Sequence, residues 1–155
     1  MRFTGSFATA TINLAQFENI LKEHLEAELK KVANVWLTAV TDLVPVWSGM
    51  SQGSLLELRD LINGRLIITP VSGVKSRIPQ GRSVGTAIPN FDNLNDFNIT
   101  ITTDVPHYNV QEYENVGISP SAPWHSLDAG AAAAYPVLKA VRLIAPIVTS
   151  KQIKV

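Results

Sequence analysis

The sequence predicts an α+β fold: a long N-terminal helix and a C-terminal helix packed on a small, mainly antiparallel sheet with a long loop. Three observations carry this. Apolar residues recur every three or four positions at Leu14, Phe17, Leu21, Leu25, Leu29, Val32, Trp36, Val40 and Val44, the spacing of one face of a helix. Phe97 to Thr103 alternates apolar and polar side chains, the period of a half-buried strand. Pro70, Gly73, Pro79, Gly81, Gly85 and Pro89 punctuate the stretch between them.

Residues 1–12 are polar and β-branched and read as a flexible arm or an edge strand. Asn13 can cap the first helix. On its polar face Glu18 precedes Lys22, and Glu26 precedes Lys30, by one turn; such pairs stabilise a helix modestly. Pro45 ends it, because proline lacks the donor and disfavours helical geometry at the preceding residue. About 30 residues at 1.5 Å each make a rod of roughly 45 Å, longer than the ~40 Å diameter of a compact domain of this size. With no proline or glycine inside to bend it, the rod is expected to protrude onto a neighbour.

Ser51 to Ile62 reads as a short helix, Asn63-Gly64 as a turn, and Arg65 to Thr69 as a strand. Residues 70–95 read as one long loop, mobile over 72–95 in the free subunit, because glycine and proline abound and large apolar groups are few. Asp104-Val105-Pro106 ends the alternating strand, and Tyr108 to Val116 reads as a further short strand or helical turn. Ser126 can cap a helix that runs through Gly130–Ala134, is kinked by Pro136 and reaches about Ile144. Ala145 to Val148 reads as a last strand or a free tail.

The chain has 155 residues, which fits one domain over 1–155. Hydrophobic residues make up 46% and charged residues 17%, enough apolar surface for a core. No apolar run reaches the length that spans a bilayer, and the first residues lack the apolar stretch of a secretory signal. There is no cysteine, which excludes disulfides, thiolate metal sites and cysteine nucleophiles. The formal net charge is zero, so no overall field draws the chain to nucleic acid or to an anionic membrane.

That neutrality hides segregation. Residues 61–82 carry Arg65, Lys75, Arg77 and Arg82 and no acid. Residues 83–128 carry Asp92, Asp96, Asp104, Glu112, Glu114 and Asp128 and no lysine or arginine. Lys139, Arg142, Lys151 and Lys154 follow. Blocks of opposite sign either neutralise one another within the chain or meet between identical copies.

No phosphate-binding, dinucleotide, zinc-protease, calcium-loop or nucleophile-elbow motif occurs, and His24, His107 and His125 are far apart. Catalytic, cofactor and metal residues are therefore expected to be none. Lys75, Arg77 and Arg82 are candidates for contact with a DNA channel or with a neighbour's acidic surface. Trp36 lies on the helix stripe and reads as core. Trp47 and Trp124 stand in turns beside Pro45 and Pro123, where they either close the core over a loop or anchor an interface. Trp47, Trp124 and the acidic Glu112 and Glu114 form the candidate interface set.

Three islands remain: Pro45-Val46-Trp47-Ser48-Gly49 with Ser54-Leu55, Val105-Pro106-His107-Tyr108 with Glu112-Tyr113, and Ala122-Pro123 before the last helix. In order and spacing they resemble the tail-completion, or neck, family of long-tailed bacteriophages. The resemblance implies a non-enzymatic virion protein, made in the host cytoplasm, that forms a homomeric ring, six- or twelve-fold, at the head–tail junction. It further implies contacts with adjacent head-completion or adaptor rings and with tail-terminator or tube proteins, and non-specific contact with packaged DNA. A tail terminator, a head–tail adaptor and, in a different class, a small hydrolase are the alternatives.

Overall fold

A computed structural model describes residues 6–12, 14–106, 108, 125–142 and 148–154. The expected α+β architecture is present, with a long N-terminal helix, a C-terminal helix and two antiparallel strand pairs. In chain order the elements are β1 (Ser6–Ile12), α1 (Leu14–Leu43), α2 (Met50–Gly53), α3 (Leu56–Ile62), α4 (Ile78–Ser83), β2 (Gly85–Asn90), β3 (Asn98–Thr103), α5 (Ser126–Ala140) and β4 (Val148–Lys154). A single 3-10 turn, Leu94–Asp96, joins β2 to β3.

The rod α1 is 30 residues long and stops before Pro45, as its pattern dictates. The predicted ion pairs form, Lys22 to Glu18 at 2.9 Å and Lys30 to Glu26 at 2.6 Å. Burial divides α1 in two. Val32, Ala33, Leu37 and Val40 sit in the core, whereas no residue from Gln16 to Lys31 is fully buried. That half is thus covered only in part, α5 lying along it as far as His24.

The helix α5 lies antiparallel along α1. Gly130 packs on Trp36 and Val40 near its start, and the His24 ring nitrogen lies 2.9 Å from the Arg142 carbonyl oxygen just past its end. Ser126, Gly130 and Ala134 are its buried residues, small side chains one turn apart that let the helices approach closely. A Cβ on Gly130 would come within 2.6 Å of Val40 Cγ2 and 2.7 Å of Trp36 Nε1. Gly130→Ala should therefore cost about 1–3 kcal/mol and shift the Trp36 emission; chemical denaturation followed by fluorescence in a Trp47→Phe/Trp124→Phe background checks both.

Several expectations are corrected. The stretch 72–95 holds α4, β2 and the 3-10 turn rather than one long loop. Its glycines serve close approach: a Cβ on Gly81 would meet the Met50 carbonyl, and one on Gly85 the Ser54 carbonyl. Of the two readings of residues 1–12, the edge strand is the one Ser6–Ile12 adopts, in a register from Ser6↔Lys154 to Ile12↔Val148. The run 65–69, expected as a strand, has no regular secondary structure and pairs with no strand among the described residues. The 51–62 helix breaks at Ser54–Leu55 into α2 and α3. His125, with φ 48°, precedes α5, so Ser126 is its first residue rather than its cap; Pro136 lies inside the helix, which stops at Ala140 instead of Ile144. The Asn13 cap, His107, the segment Asn109–Val116 and Ala145–Ile147 lie outside the described residues.

The core joins the buried end of α1 to α3, Leu66, Val105 and Tyr108. Leu37, Val40, Leu55, Leu58 and Tyr108 are almost wholly enclosed.

Candidate interaction surface

The first island is a tightly built corner. Past Leu43 the chain leaves α1 and reverses at Gly49, which adopts a left-handed φ of 79° that favours glycine. The last carbonyls of α1 have no partner within the helix. Gln52, buried, supplies one: its Nε2 donates to the Thr41 oxygen at 3.0 Å and to the Val44 oxygen at 2.7 Å. The corner's own carbonyls are also held, since Trp47 O accepts from Val71 N at 3.0 Å and Ser48 O from Arg77 N at 2.8 Å.

The described parts of the first two islands meet in space. Ser54 of the first accepts a hydrogen bond from Thr103 at 2.9 Å at the end of β3. Val105 and Tyr108 of the second enter the core beside Leu55, and the Tyr108 hydroxyl lies 3.4 Å from Ser126 Oγ at the start of α5. Pro123, Trp124, Glu112 and Glu114 lie outside the described residues. The polar members of this node, Gln52, Ser54 and Ser126, are all buried and so are architectural rather than substrate-facing.

Because the corner's backbone is clamped on both sides, the Trp47 side chain is fixed outward, 68% exposed. Ile67 is 71% exposed and Val71 44% exposed, on the run that alternates Leu66 inward and Ile67 outward. Leu43, at the end of α1, is also exposed. A large aromatic on a rigid turn with branched apolar neighbours is the composition of an interface anchor. Sequence reasoning singled out Trp47, which is exposed, but not the exposed Ile67 and Val71. The period of two in 65–71 was the available signal, but it reads equally as a strand half-buried in the subunit's own sheet.

The basic residues separate into two groups. Arg82 is held by its own chain, Nε 2.8 Å from Glu57 and Nη2 2.7 Å from Asp60. It thus satisfies its charge within the subunit, which corrects its place among the loop cations expected to reach out. Arg65, Lys75 and Arg77 are exposed and make no ion pair among the described residues. The Asp60 carboxyl lies below its ordinary value of 3.8, through the hydrogen bond from Arg59 first and the charges of Arg59 and Arg82 after it; these outweigh the opposing effect of desolvation. A depressed carboxyl pKa contributes stability above the unfolded value and loses it as pH falls through the folded one. Arg82→Ala should thus lower thermal stability slightly at neutral pH and not at all in strong acid or high salt; melting curves at three conditions check it.

A groove along α1, lined by Glu23, Glu26, Ala27 and Lys30, is open to solvent and contains no nucleophile beside a base. Among the described residues no three His, Asp or Glu side chains converge as metal ligands, and no helix is long and apolar enough to cross a membrane. Comparison of the chain with family models, curated proteins and solved structures finds no match.

Proposed function

We propose that this protein is a structural subunit of a homomeric ring at the head–tail junction of a long-tailed bacteriophage, joining the tail to the DNA-filled head and surrounding the DNA conduit. The observation that carries the reading is the convergence of the first two islands. Ser54-Leu55 of the first island and Val105 with Tyr108 of the second are far apart in sequence, yet they build one buried node. Residues that carry the family resemblance are thus the residues that define the fold. A half of α1 without a fully buried residue and an exposed Trp47 on a clamped corner further suit a subunit completed by neighbours. The polar groups of the node are consumed by architecture, which favours a structural role over catalysis.

Antibodies raised against the full chain should label the junction between head and tail of the particles that contain it. Loss of the protein should leave filled heads and separate tails that fail to join. Labelling of the capsid shell or tail tip, or normal particles without the protein, would overturn the reading.

A further inference from the structure

The charge segregation leaves two free surfaces of opposite sign on different elements. One is the Trp47 corner with Ile67 and Val71, edged by Arg65, Lys75 and Arg77. The other is the outward side of the β2–β3 hairpin. There Ile88, 61% exposed, faces Thr100 across the ladder, and Thr86 faces Thr102. Thr86, Thr100 and Thr102 are exposed as well, so one branched apolar side chain stands among threonines. Asp92 past the end of β2 and Asp104 past the end of β3 are exposed and make no ion pair among the described residues. Asp96 differs, because its carboxylate accepts from Asn90 and Asn98. Among the described residues no ion pair joins Arg65, Lys75 or Arg77 to Asp92 or Asp104.

We propose that the Trp47 corner of one subunit docks on the outward side of the β2–β3 hairpin of a second copy, joining subunits head to tail. This inference rests on the ring reading above and names its contact. The apolar centres, Trp47 with Val71 and Ile88, meet, and the flanking cations face Asp92 and Asp104. A contact between two different patches propagates in one direction and closes into a ring if its rotation closes. A corner meeting its own copy would instead oppose like charges.

Charge exchange tests it. Variant one carries Arg65→Glu, Lys75→Glu and Arg77→Glu, so both of its surfaces are acidic. Variant two carries Asp92→Lys and Asp104→Lys, so both are basic. No substituted side chain is buried or ion-paired among the described residues, and circular dichroism verifies folding. In sedimentation of the full chain at low salt, wild type should associate. Each variant alone should associate about ten-fold or more weakly, and an equimolar mixture should recover. Trp47→Ser should weaken association at low and high salt alike, since apolar contact is not screened. Variant two associating like wild type, a mixture that fails to recover, or Trp47→Ser associating normally would overturn this contact while leaving a ring intact. A wild-type chain monomeric at every concentration would overturn the contact and count against the ring as well. Retardation of duplex DNA by wild type and variant two but not variant one, without self-association, would assign the corner to nucleic acid instead.

Discussion

Gly85→Ala should leave the protein about 3 kcal/mol or more less stable than wild type, or unfolded. Gly85 opens β2 and lies against the turn between α2 and α3. An alanine Cβ there would stand 2.5 Å from the Ser54 carbonyl carbon and closer still to its oxygen. The obstacle is backbone, so no side-chain rotation relieves it. Either β2 moves away or the Ser54 turn does, and each movement breaks the hydrogen bond between Thr103 and Ser54 and uncovers Leu55. Overpacking usually costs about 1–3 kcal/mol; a clash with fixed main chain belongs at or beyond the upper end. Gly73→Ala is the comparison. Its φ of 80° disfavours a side chain, but nothing lies within 4 Å of the new Cβ, so only about 1–2 kcal/mol of conformational strain remains. Urea midpoints for the two variants should differ clearly, and equal midpoints would refute the packing argument.

Gln52→Glu should be the second severe substitution, with a dependence on pH. The amide donates to two carbonyl oxygens at the end of α1, and only its nitrogen can do so. An ionised carboxylate in its place would confront both oxygens and the negative end of the helix while buried. Its pKa in the folded state must rise. An acid whose folded pKa lies above its unfolded value, about 4.3 for glutamate, loses stability as pH climbs from one to the other. The deficit against wild type should be smallest below about pH 4 and should reach about 3–5 kcal/mol at neutrality. Gln52→Leu, which strands the same carbonyls without a charge, should show a deficit that does not change with pH. Denaturation at pH 4 and pH 7 separates the two variants, and a Gln52→Glu protein as stable as wild type at pH 7 would refute the capping role.

The long helix was legible because its cause is local: a stripe of uniform period, paired charges on the far face and a proline to stop it. β3 was legible for the same reason. The stretch 72–95 was not, because glycine has two uses that look alike in sequence. Gly81 and Gly85 are present for want of a side chain, so that backbone can touch backbone, and only the folded contact with Met50 and Ser54 reveals it. Ser126 reads as a helix cap by residue type, yet its small size lets it lie wholly buried in the first turn of α5. Arg82 belonged by sequence to a basic block; its acids, Glu57 and Asp60, come from a helix more than twenty positions earlier. Trp47 stood out because a tryptophan in a turn beside proline has few roles, and its exposure excludes that of closing the core. Its companions Ile67 and Val71 were hidden, since an alternating run does not say whose sheet it will complete.

An unbroken helix seated in the core at one end is a lever. Leu37 and Val40 hold its fulcrum, while its other half carries no fully buried residue. Leu37 and Leu14 are about 35 Å apart along the helix, so a roll of the whole subunit by about 10° about the Leu37 end sweeps the Leu14 end through about 6 Å. In the proposed ring, a small rolling of subunits at their Trp47 corners would therefore become a larger displacement at the far tips, so that such a ring would widen or narrow without any subunit changing its internal fold.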